Sequence, residues 1–167
     1  QYGCMFDIRY DGVFVQMKDR EKDIDILGRI GEKIIINMLS REGKIVEESI
    51  DPYDREKDMI CDGKTIEVKT QVPFVVERAF TFKPNQLKKC RNVDVLYFIS
   101  VPANRLNFKW DGYIFQADPQ SFRTRKRSTR DGRVMILVDI EQDAVKPIQK
   151  LSDDEVETLK KYTVTGY

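Results

Sequence analysis

The chain has 167 residues, of which 41% are hydrophobic and 34% charged, with a net charge of +1. That describes one ordinary domain with a real core and a solvated surface, and it excludes a disordered or collagen-like chain. There is no histidine, which excludes Ser–His and Cys–His nucleophilic catalysis and any nuclease that uses histidine as its base.

The opening Gln1-Tyr2-Gly3-Cys4-Met5-Phe6-Asp7 lacks the basic-then-apolar pattern of a signal peptide. No apolar run reaches the ~18 residues of a membrane-spanning helix. Cys4, Cys61 and Cys90 are far apart and form no CxxC pair. Free thiols in a reducing, intracellular compartment, cytoplasmic or nuclear, are therefore expected, without structural zinc.

Phe6–Tyr10 and Val13–Met17 alternate around Asp11-Gly12, a hairpin dipeptide, and predict an N-terminal strand pair. Lys18 to Asp23 reads as a charged connector. From Ile24 to about Arg41, apolar residues recur at helical spacing (Ile26, Leu27, Ile30, Ile34, Ile35, Met38, Leu39). Asp23 or Asp25 is placed to cap the start of this helix, and Gly43 its end. Gly28 and Gly31 inside the helix each cost about 1 kcal/mol against alanine, so something is expected to approach that face closely.

Lys44–Ser49 predicts a short strand. Lys57–Cys61 and Thr65–Gln71 predict two more, joined at Asp62-Gly63. Asn85–Arg91 follows Pro84 as a short helix. Val93–Val101 is nearly continuous apolar, as in a strand covered on both faces. Gly112–Ala117 and Arg133–Ile140 are further strands, and Ser152-Asp153-Asp154-Glu155 is a capping box opening a C-terminal helix to about Tyr162. The fold class is α/β, with a mixed central sheet flanked by helices. Residues 1–167 read as a single domain.

The 57–71 hairpin carries the chemistry. A two-residue turn at Asp62-Gly63 pairs Cys61 with Lys64, Ile60 with Thr65, Met59 with Ile66 and Asp58 with Glu67. Opposed residues project to one face, with Cβ atoms ~4.5–5.5 Å apart, and Lys69 shares that face with Glu67. Met59, Cys61, Ile66 and Val68 take the apolar face. Two opposed carboxylates repel, and a hard divalent cation resolves this: Mg²⁺ takes one or two carboxylates plus substrate phosphate. Such an ion polarises phosphoryl oxygen and acidifies water, while Lys69 offsets charge building on phosphorus. Asp54 is a rival first acid, but it would fall opposite Gln71.

Asp58 on one strand with Glu67-Val68-Lys69 on the next resembles the PD-(D/E)XK nuclease superfamily, and the helix–three strands–helix–strand order over 24–101 is similar to its αβββαβ core. The resemblance implies a restriction-endonuclease-like fold, with the N-terminal hairpin and the C-terminal strands and helix as additions. It implies catalytic Asp58, Glu67 and Lys69, and metal ligands Asp58, Glu67 and Val68. Gly28-Arg29-Ile30-Gly31-Glu32 is similar to the family's G-x-x-G-E pattern and adds Glu32, which helical geometry puts at the edge of the apolar arc. Gln71, facing the same way as Lys69, is a further candidate. Lys57 stands where the motif's proline would be.

The resemblance implies a Mg²⁺-dependent endonuclease, with Mn²⁺ able to substitute, acting on DNA or, as the other candidate, RNA. One site per chain and two strands to cut lead to an expected homodimer or dimer of dimers. The basic run from 123 to 133, with Arg123, Arg125, Lys126, Arg127, Arg130 and Arg133, reads as a flexible flap on the phosphate backbone, or else as a solvated loop. Lys88 and Lys89 are a second candidate contact. Trp110 could stack on a base or pack with Tyr113 and Phe115. The alternatives in function are an inactive nucleic-acid-binding module of the same fold, and a small α/β protein that works through protein partners.

Overall fold

A 30-residue helix, α1 (Gly12–Arg41), opens the computed structural model, which describes residues 12–51, 57–103 and 108–163, with side chains from residue 23 onward. Leu27, Ile34, Ile35, Met38 and Leu39 form its buried stripe. Gly43 ends it at φ +81°. The Lys44 N–H reaches the Leu39 carbonyl at 3.1 Å and the Gly43 N–H that of Ser40 at 3.0 Å, the paired bonds of a Schellman stop.

The expected strand Val13–Met17 is instead helical, and so is the charged connector 18–23. No glycine or proline interrupts 13–27, and its lysines, arginine and glutamate are strong helix formers. Asp23 and Asp25 therefore lie inside the helix and do not cap it. Cys4, Phe6–Tyr10 and Asp54 lie outside the described residues.

Eleven elements follow: β1 (Val46–Glu48), β2 (Met59–Cys61), β3 (Lys64–Gln71), β4 (Ala79–Phe82), α2 (Pro84–Arg91), β5 (Val95–Ser100), β6 (Tyr113–Ala117), β7 (Arg125–Ser128), β8 (Val134–Asp139), β9 (Val145–Lys150) and α3 (Asp153–Lys160). The protein is mixed α/β. Six strands form one mixed sheet in the order β1-β2-β3-β5-β6-β9, in which only β3 and β5 run parallel. The other three make an antiparallel sheet, β4-β8-β7.

Three of these strands were not expected. β4 is four residues with no turn signal before it. β9 carries Pro147, which only an edge strand accommodates, and it is an edge strand here. β7 replaces the expected flap: Arg125–Ser128 pairs with Val134–Leu137 on β8.

Two apolar layers cover the large sheet. Met59, Cys61, Ile66, Val68, Tyr97 and Ile99 pack against α1, with Leu159 of α3. Leu96, Phe98 and Phe115 pack with Phe80 and Phe82 of β4, Cys90 of α2 and Phe122. β5 is thus buried on both faces, as its continuous apolar run implies. The α3 capping box forms, with the Ser152 N–H donating to Glu155 Oε1 at 2.8 Å and the Glu155 N–H donating to Ser152 Oγ at 3.2 Å.

Gly31 is where α1 crosses β3, since a Cβ at this position would collide with the Thr70 side chain. The expected close approach is therefore real at Gly31. It does not occur at Gly28, where a Cβ meets nothing within 4 Å.

Candidate active site

Asp62 and Gly63 both adopt positive φ, 53° and 75°, as a two-residue hairpin turn of the mirror-image type requires. The turn sets the register: Cys61 opposes Lys64, Ile60 opposes Thr65 and Met59 opposes Ile66, as the sequence predicts. The regular ladder then stops. The Asp58 N–H donates to the Ile66 carbonyl at 2.9 Å, one residue out of step. The Asp58 carboxylate, instead of its backbone, takes the Val68 N–H, at 2.8 Å to Oδ2. The expected direct opposition of Asp58 and Glu67 is replaced by an irregular strand end that still brings the two acids together.

One ammonium joins them. Lys89 Nζ lies 3.2 Å from Asp58 Oδ1 and 3.1 Å from Glu67 Oε1. Lys89 comes from α2, and its inward position was legible as helical spacing, because Gln86, Lys89, Cys90 and Val93 form one stripe. Sequence reasoning placed Lys89 on a nucleic-acid backbone; in the structure it sits between the two carboxylates. Lys88, next to it, is exposed.

Glu67 is buried, and burial first, then Asp58, pushes its carboxyl above the usual range. Lys89 is held the other way: burial works against its charge, but Glu67 and Asp58 outweigh that and raise it. Lys69, on the same face of β3, lies with its Nζ 5.4 Å from the centre of the Phe82 ring. Burial lowers its pKa, with Cys90 and Glu67 opposing.

Glu32 comes from the other layer, on α1, and reaches the open end of β2. There a cleft of about 320 Å³ is lined by Arg29, Glu32, Lys33, Glu48, Lys57 and Asp58, among others. Its half-burial matches the position read from the helix. Burial first, then Asp58, raises its pKa from 4.5 to about 7. A carboxyl raised in the folded state holds its proton more tightly there than in the unfolded chain. Its stabilising contribution is therefore complete at low pH and is lost as pH rises from about 4.5 through 7. A shift of this size is worth about 3 kcal/mol when fully buried and about 1–2 for a half-exposed group. Glu32→Gln is expected to remove that loss, so urea unfolding in EDTA should show the variant gaining 1–2 kcal/mol over wild type (roughly, on the same scale) at pH 8 and little at pH 4.5. An unchanged difference across that range would contradict the assignment.

Gln71 is tied up elsewhere. Its Oε1 accepts from the Thr81 N–H at 2.7 Å and its Nε2 donates to the Thr81 carbonyl at 2.9 Å. It joins β3 to β4 and so holds the second sheet beside the site.

Two carboxylate oxygens from different strands suit a hard cation. Glu67 Oε1 is buried, and Lys89 Nζ lies 3.1 Å from it. Asp58 Oδ1 and Glu67 Oε1 share one cationic partner, and the main chain of Val68 lines the same strand edge. Among the described residues no group of three or more His, Cys, Asp or Glu side chains gathers to hold a metal. Two carboxylates are what Mg²⁺ commonly takes from a protein, with water and phosphate for the rest; Asp58 and Glu67 would supply those two.

Half of the basic run is engaged. Arg125 pairs with Glu77 at 2.8 Å and Asp139 at 2.9 Å, Arg127 also pairs with Glu77, and Arg133 pairs with Asp131 at 2.6 Å. Arg123, Lys126 and Arg130 are exposed and make no ion pair among the described residues. Trp110 packs edge-on against Tyr113 and Phe115, with ring centroids 5.6 and 5.8 Å away.

Compared with protein-family models, curated proteins and solved structures, the chain matches none.

Proposed function

We propose that this protein is a divalent-metal-dependent endonuclease of the PD-(D/E)XK type that hydrolyses phosphodiester bonds in DNA. The observation that supports it is the meeting of Asp58, just before β2, and Glu67 of β3 around the Lys89 ammonium, with the half-buried Lys69 on the same face of β3. Asp58, Glu67 and the Val68 main chain would hold Mg²⁺ or Mn²⁺, which when bound supplies electrophilic activation of phosphate and a more acidic water. Lys69 would orient the attacking water and offset charge on the scissile phosphate. Glu32, which shares its cleft with Asp58, would act as a further acid beside the pair. Gln71 keeps β4 in place. A chain of this size carries one site, so duplex cleavage calls for a homodimer or an assembly of dimers.

The test is a cleavage panel on supercoiled plasmid, linear duplex, single strands, a four-way junction and RNA, with EDTA, Mg²⁺ or Mn²⁺. Metal-dependent cleavage of a DNA substrate is expected, and its absence throughout would sink the nuclease reading. A binding module without catalysis is the second reading, favoured by Lys89 already pairing with both carboxylates. Binding on the panel with no cleavage in either metal would select it.

Nucleic acid would meet the basic hairpin through the side chains left unpaired. Lys126→Ala and Arg130→Ala should each weaken DNA binding and reduce the salt slope by about one. Arg125→Ala should instead lower stability by up to about 1 kcal/mol, because Glu77 and Asp139 lose a partner. Fluorescence anisotropy at several salt concentrations, with denaturation in parallel, separates the two. Equal effects of all three on the salt slope would contradict this division.

A further inference from the structure

We infer that Lys89 is an internal counter-ion that occupies the carboxylate pair and must be displaced before a divalent cation can bind. The inference rests on the metal-dependent reading above and adds a restraint on metal entry to it. Asp58 Oδ2 is already engaged by the Val68 N–H at 2.8 Å. The two oxygens on which the acids converge, Asp58 Oδ1 and Glu67 Oε1, both face the same ammonium, at 3.2 and 3.1 Å. The Asp58 and Glu67 side chains are only 13% and 11% exposed, against 20% for Lys89, so the ammonium sits on the two oxygens in a largely buried setting. Mg²⁺ and Mn²⁺ need oxygen contacts near 2.1 Å, and an ion bound on that side would overlap the lysine.

The charges balance as a simple exchange. With both carboxylates ionised, the pair and one lysine sum to −1; with a divalent ion in place of the lysine they sum to zero, and the ammonium moves out to solvent. Without Lys89 the ion would meet a pair carrying −2, with no competitor to expel. Metal affinity is therefore set partly by a residue that is not a ligand, and the freed lysine becomes available to phosphate only once the metal is in place.

The experiment is Mn²⁺ binding to the full chain without nucleic acid, by titration calorimetry and by electron paramagnetic resonance of free Mn²⁺. Wild type is compared with Lys89→Met, Lys89→Gln and Lys89→Arg. Binding at least about tenfold tighter in the Met and Gln variants, with the Arg variant no tighter than wild type, is expected. A larger rise of melting temperature with Mn²⁺ in the neutral variants should accompany it. Measurable wild-type binding that the neutral variants leave unchanged or weaken would overturn the counter-ion role and leave the metal reading standing. No Mn²⁺ binding by any form at millimolar metal would overturn both. If the neutral variants unfold without metal, recovery of the fold on adding Mn²⁺ supports the exchange and failure to recover rejects it.

Discussion

Asp58→Asn is expected to lower metal-dependent cleavage about 10³-fold while changing stability by no more than about 1 kcal/mol. The separation arises from the two jobs of this side chain. Its Oδ2 accepts the Val68 N–H at 2.8 Å, and an asparagine carbonyl oxygen can accept the same bond, so the irregular end of β2 survives. What disappears is the negative charge that, with Glu67, makes the pair a cation site. Asp58 is also one of the charges that raise Glu67, so the variant should let Glu67 ionise at lower pH. Lys69→Met should match the loss of cleavage while keeping DNA affinity, since Lys69 is half-buried beside Phe82 and not part of the exposed basic hairpin. Single-turnover cleavage in Mg²⁺, read beside urea denaturation, is the measurement. Undiminished cleavage by Asp58→Asn would end the assignment of this site.

Gly31→Val should cost about 3 kcal/mol, the upper range for forcing extra atoms into a packed contact. The position has no room because Thr70 of β3 stands where a Cβ would go, and α1 would have to lift off the sheet. Glu32 is the next residue, so the same shift would move it away from Asp58. The Thr70 hydroxyl has no hydrogen-bond partner, so Thr70→Ala alone should be close to neutral. Combined with Gly31→Val it should recover at least about 1 kcal/mol, read as the coupling in a double-mutant cycle. Gly28→Ala is the control: it opens onto free space and should stabilise by roughly 0.5–1 kcal/mol through helix propensity. Equal behaviour of the two glycines would mean that α1 does not rest on β3 at position 31.

Much of the fold could be read locally. Asp62-Gly63 carries its own turn geometry, so the register of β2 and β3 followed from counting residues away from it. The stripe of α1 from Leu27 to Leu39, the Gly43 stop, the capping box at Ser152 and the doubly covered β5 were legible in the same way. Each depends on residues within one or two turns or one strand of each other. The N-terminal reading went wrong where two periods fit the same short apolar run, and the absence of any breaker between Val13 and Leu27 decided for the helix. β4 and β7 were missed because a short strand is stabilised by its partner, here β8, which lies far along the chain.

The pattern of residues by itself determined which groups were available for chemistry: carboxylates and lysines without histidine, two of the acids placed by a glycine turn on neighbouring strands. Only the tertiary structure decided what those groups touch. It brought Lys89 from 31 positions away onto Asp58, turned Gln71 into a tie to Thr81, and spent Arg125 and Arg127 on Glu77. Turn and helix geometry act over a few bonds and are written in adjacent residues. A buried ion's partner is set by which elements pack together, and charge alone does not say which lysine will arrive.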